Sequence, residues 1–133
     1  MTDHDRTPAP ATASTRAATL TLLVLTGVML LALFSRTAPH PPLEVAPFAL
    51  GPFLGASLAI GGAALHLASG PGGGGRAGRV LVLTFVVTAL VSFGPQKLVD
   101  PAFRLIWPAV LTAQAAIVVV LVEAVRAGWR RGR

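Results

Sequence analysis

The sequence predicts an all-α integral membrane protein: four transmembrane helices in an antiparallel bundle, N-in and C-in. Three observations point there. Charged residues make up only 12% of the 133 positions, against 53% hydrophobic, whereas a soluble domain carries about 25% charged residues. The charges bracket four uncharged blocks: 17–35 between Arg16 and Arg36, 45–75 between Glu44 and Arg76, 80–96 between Arg79 and Lys97, and 105–122 between Arg104 and Glu123. A hydrocarbon core about 30 Å thick selects such blocks, because a helix needs about 20 residues to cross it. Finally, the basic residues fall unevenly between the two sides that four crossings create. With both termini cytoplasmic, Arg6, Arg16, Arg76, Arg79, Arg126, Arg130, Arg131 and Arg133 lie inside, and Arg36, Lys97 and Arg104 lie outside. Basic residues favour the cytoplasmic side, which orients the bundle in a plasma membrane.

Residues 1–15, rich in Thr, Ala and Pro, cannot bury enough apolar surface to offset ordering and read as a disordered cytoplasmic tail. The transmembrane domain then covers 16–128. Helix 1 is expected over about 17–35. Its apolar core exceeds the 7–15 residues of a secretory leader, and a cut after Ala38 would put Arg36 where a small residue is required, so the block reads as a retained span. Pro39, Pro41, Pro42 and Pro47 make the next segment an extended connector, since proline lacks the N–H and disfavours helix before it.

Helix 2 is expected over 47–69, with Pro52 in its first turns. The glycine-rich stretch 70–79 forms a flexible turn. Helix 3 is expected over 79–98. Gly94-Pro95 interrupts it, so it either ends at Phe93 or kinks there and continues toward Val99; the kink is the expectation. Asp100-Pro101 starts helix 4, over 101–127, because aspartate caps a helix and proline at the first position loses no bond. Arg104 stands four residues on, at ion-pair spacing from Asp100. Trp107 and Trp129 fit an interfacial aromatic belt, and residues 129–133 form a basic cytoplasmic tail.

The composition excludes several chemistries. The net charge of +6 sits at the ends of apolar blocks rather than in an aromatic-interleaved patch, so no nucleic-acid partner is expected. There is no cysteine, and His4, His40 and His66 are too scattered for a zinc site. Residues 70–75 satisfy G-x-G-x-x-G as any glycine run does, without a βαβ unit or a Walker lysine. No nucleophile elbow, H-E-x-x-H motif or catalytic carboxylate pair occurs. No acid is central in any span, which argues against proton-coupled export. No catalysis, metal or cofactor is expected.

Four residue groups remain. Gly51, Gly55, Ala59 and Ala63 repeat at four-residue spacing on helix 2; small residues so placed let backbones approach closely, as a packing seam inside the bundle or between subunits. Thr84, Thr88 and Ser92 share a face of helix 3, and Thr88 lies at the depth of Gln114 on helix 4. They could line a solute path, or the amide could bridge helices while the hydroxyls bond back to helix carbonyls. His66 and Glu123 lie near the inner interface, as an ionisable pair at an inner mouth or as a snorkelling histidine and a surface ion pair with Arg126. On the outer face His40, Glu44, Gln96, Lys97, Asp100 and Arg104 could form a small polar cap. The leading expectation is a non-enzymatic accessory or self-associating bundle, in contact with lipid and, through helix 2, with itself or another membrane protein. The alternative is a small channel or carrier with a polar layer at Thr88 and Gln114.

Overall fold

The computed structural model describes residues 11–36, 47–70 and 75–129. Among them the elements are α1 (Ala13–Ser35), α2 (Pro47–Ser69), α3 (Arg76–Phe93) and α4 (Phe103–Trp129), with a short 3-10 segment, Pro95–Val99, between α3 and α4. The structure is all-helical, and four helices are long and apolar enough to cross a membrane. Most of both terminal tails and much of the two connectors, including His40 and Glu44, lie outside the described residues.

Helix α1 starts four residues earlier than the charge bracket implied. Thr12 is extended and its hydroxyl accepts the Thr15 N–H at 3.2 Å, so a side-chain cap inside the expected tail begins the helix. Its far end is closed by Arg36 at φ 52, whose N–H donates to the Ala32 carbonyl. That left-handed turn costs a residue with a Cβ some strain, and it satisfies an end carbonyl. Helix α2 has the expected limits.

Helix α3 begins at Arg76 and ends at Phe93, which overturns the kinked continuation. The reason is local. Pro95 has no N–H to offer the Val91 carbonyl, and proline drives the residue before it to extended backbone; Gly94 sits at φ −66, ψ 179. The Gln96 amide replaces what proline lacks, donating to Val91 O at 2.7 Å and Leu90 O at 3.1 Å. A Cβ on Gly94 would overlap the Leu90 carbonyl oxygen and Gln96 Oε1, so glycine is needed there for space.

Asp100 caps α4 as expected, although the α-helix proper starts two residues late, at Phe103. Asp100 Oδ1 accepts the Ala102 N–H at 2.9 Å and the Asp100 carbonyl accepts the Phe103 N–H at 2.9 Å. The expected pairing with Arg104 does not form. Asp100 instead meets Lys97, Nζ to Oδ2 at 3.0 Å, because the 3-10 turn brings Lys97 beside it while Arg104 is exposed on α4. The Ala102 N–H, and then the Lys97 ammonium, hold the Asp100 carboxyl below its usual 3.8.

The four helices close a ring. Helix α1 packs on α2 and α4, α3 packs on the same two, α1 and α3 approach across the middle, and α2 and α4 occupy opposite corners with no close backbone approach among the described residues. Buried stripes run at three- and four-residue steps, for example Val110, Ala113, Ala116, Ile117 and Val120 on α4, the spacing of one helix face. At the centre, a Cβ on Gly61 would stand 2.7 Å from Phe85 Cζ and 2.9 Å from Leu23 Cδ1. Glycine lets α1, α2 and α3 converge there.

Candidate functional site

Helix α2 differs from its neighbours in what it turns outward. Among described side chains, the exposed large hydrophobics include Leu20, Val24, Val28 and Leu31 of α1, Val80, Leu83, Val87 and Val91 of α3, and Leu111, Val118, Leu121 and Val125 of α4. From α2 there is Leu67 alone. That face also exposes Pro52 and His66, and between these two it is small: Ala56, Ala59 and Ala63 are exposed, Gly55 and Gly62 half-buried. A Cβ on Gly55 or Gly62 would meet nothing within 4 Å.

The four-residue stripe therefore divides between inside and outside. Gly51 is buried, and a Cβ there would come within 3.6 Å of the Phe34 ring. Gly55 lies at the flank, and Ala59 and Ala63 face out. At 3.6 residues per turn each four-residue step advances about 40°, so the stripe turns roughly 120° between Gly51 and Ala63. The face that packs within the chain is instead Gly51, Leu54, Ser57, Gly61, Ala64 and Ala68. In hydrocarbon, helices associate by close van der Waals packing, which small residues permit. The outer face of α2 packs against no other helix among the described residues.

The polar layer is only partly assembled. Thr84 is exposed and its hydroxyl donates to Val80 O at 2.9 Å. Thr88 is half-buried and donates to Phe85 O at 2.8 Å. Ser92 is buried. Gln114 is half-buried and donates to Phe93 O across the α3–α4 contact at 3.3 Å. Phe93 ends α3, where carbonyls have no intrahelical partner, so the amide bridges helices by closing a helix end. Thr84, Thr88 and Gln114 all have partners within the chain.

His66 and Glu123 are not brought together. His66 is exposed on α2, while Glu123, on the opposite corner, accepts from Arg126 at 3.2 Å. At the α3–α4 junction Lys97, Asp100 and Gln96 form one continuous structure with the end of α3 and the start of α4, and Arg104 stands apart from it. Among the described residues no three of His, Asp and Glu are grouped to hold a metal.

Reading the sequence missed the buried hydroxyls Thr19, Thr26 and Ser57. Each donates to the carbonyl four residues back, at 2.8 Å. A partial signal was available: Thr19 and Thr26 are seven residues apart, the spacing of one helix face, although Thr21, which is not buried, carries the same hydroxyl.

Compared with protein families, with characterised proteins and with solved structures, the chain matches none.

Proposed function

We propose that the chain is a multi-pass plasma-membrane protein, an antiparallel bundle with both termini cytoplasmic, whose work is helix–helix association through α2. The carrying observation is the outward face of Gly55, Ala56, Ala59, Gly62 and Ala63, bare of the large side chains that the other three helices present. Its partner is a second copy or another membrane helix with a comparably smooth face, because close approach requires small residues on both sides. The antiparallel arrangement is supported by neighbours in opposite order: Phe34 beside Gly51, Gly27 beside Leu58, Leu23 beside Gly61. The orientation rests on the eight-to-three division of basic residues. No catalysis is part of the reading, and the partnered Thr84, Thr88 and Gln114 do not favour a solute path.

The test is Gly55→Leu. Because that position opens onto empty space, the variant should fold as the parent does by circular dichroism while forming smaller assemblies in detergent and in lipid. Unchanged assembly size would overturn the reading.

A further inference from the structure

Between α3 and α4 the chain reverses the pattern of a turn in water. Its charged side chains are largely covered: Lys97 and Asp100 pair at 3.0 Å and are 19% and 14% exposed. Its apolar side chains are not, with Leu98 44%, Leu105 74% and Val99 85% exposed. The end of α3 is closed by protein groups rather than left to solvent. Gln96 donates to the Leu90 and Val91 carbonyls, Gln114 to that of Phe93, and the backbone N–H of Lys97 to that of Gly94. Non-helical backbone is tolerated at membrane depth only where its polar groups find such partners.

Helix lengths set the depth of this junction. Residues 80–93 separate Arg79 from the end of α3. At about 1.5 Å per residue they cover roughly 21 Å, short of a hydrocarbon core about 30 Å thick. The 3-10 segment Pro95–Val99, at about 2 Å per residue, supplies roughly the missing 10 Å. The stretch apolar enough to cross a membrane accordingly runs from Arg76 to Val99. Counted back from Glu123 along α4, the same thickness takes about 20 residues and ends at Phe103. Both measures put the hydrocarbon boundary at the junction. Gln96 and Arg104 are exposed there, and they suit a boundary, where headgroups and water reach polar tips.

We infer that the α3–α4 junction is seated in the bilayer. The 3-10 segment completes the third crossing, and Leu98, Val99 and Leu105 dock on phospholipid acyl chains at the hydrocarbon boundary, while Lys97 and Asp100 neutralise each other. The occupant is lipid because the patch continues two apolar helices and lacks the small side chains that let another helix approach closely. The inference rests on the membrane part of the proposed function and is independent of association through α2.

Spin labelling of the full chain in dioleoylphosphatidylcholine vesicles tests it, since no native cysteine competes for the label. Nitroxides at Val99→Cys and Leu105→Cys are compared with Val87→Cys, exposed midway along α3, and Ser14→Cys, exposed at the start of α1. Collisions with oxygen, which concentrates in hydrocarbon, should exceed collisions with a water-soluble nickel chelate at positions 99, 105 and 87, and the order should reverse at position 14. Nickel collisions at 99 and 105 as frequent as at 14 put the junction in water and overturn the inference. Low access to both reagents, with spin–spin broadening, means that a second copy covers the patch and overturns it too. The two junction positions are separate exposed sites, so either alone decides should the other variant fail to fold. Position 87 separates the two readings: if it also reads as water, the membrane reading falls with this one, and if it reads as lipid, a failure at 99 and 105 belongs to this inference alone.

Discussion

The ring of Phe85 lies where a side chain on Gly61 would stand. Phe85 is fully buried and has little room to withdraw, and the half-buried Leu23 closes the other side. Gly61→Ala should therefore destabilise the bundle by about 1–3 kcal/mol of overpacking, more than the roughly 1 kcal/mol that alanine contributes to a helix over glycine. Gly55→Ala and Gly62→Ala, which open onto empty space, should leave stability equal or slightly raised. Thermal unfolding in one detergent compares the three; equal melting temperatures would contradict the packing described.

The end of α3 offers a second contrast. Gly94→Ala must displace the Leu90 carbonyl or the Gln96 side chain, and should shift the 3-10 segment and cost about 1–3 kcal/mol by the scale of overpacking. Gln96→Ala removes only the amide from the Leu90 and Val91 carbonyls; on an exposed residue, where water substitutes, the loss should be about 0.5–1 kcal/mol. Hydrogen exchange at residues 93–97 would show wider opening in the glycine variant.

Acid should weaken the α3–α4 junction. Asp100 is held below its ordinary value by the Ala102 N–H and Lys97. A carboxyl lowered in the folded state contributes stability above its unfolded pKa, and that contribution is lost as pH falls from the usual 3.8 through the lower folded value. Asp100→Asn keeps a capping oxygen and loses the charge. Its melting temperature should be slightly below the parent's at neutral pH and should flatten in acid, where the parent's falls. A parallel decline in both proteins would assign the acid sensitivity elsewhere.

Orientation is tested by fusion at the C-terminus. A fluorescent protein that matures only in the cytoplasm should be bright, and an exported phosphatase should be inactive. The opposite pattern would reverse the topology.

How much was legible in the sequence differs between depth and direction. Charge spacing located all four apolar helices, because charges are excluded from hydrocarbon, and the prolines before α2 with the glycines after it fixed its limits. Asp100 announced its own cap. The start of α1 was hidden because Thr12 lies among other Thr and Ala residues, and the end of α3 because proline's effect depends on whether a side chain such as Gln96 takes over the lost bond. Direction around each helix was far less visible: helices apolar on all sides carry little amphipathic signal. A regular four-residue stripe therefore read as one seam although it winds from Gly51 inside to Ala63 outside. His66 and Glu123 were expected near one interface, but they stand on helices at opposite corners of the bundle, which no linear pattern shows.

The outer face of α2 is tested most directly by single-cysteine photocrosslinking, which the absence of native cysteine makes clean. Ala59→Cys on α2, Val24→Cys on α1, Val87→Cys on α3 and Val118→Cys on α4 all place an exposed thiol outside the bundle. Each is labelled in native membranes with a photoactivatable maleimide and illuminated. The account predicts a protein–protein adduct, to a second copy or to a partner, from Ala59→Cys and little from the other three. Adducts of equal yield from all four faces, or none from Ala59→Cys, would contradict it.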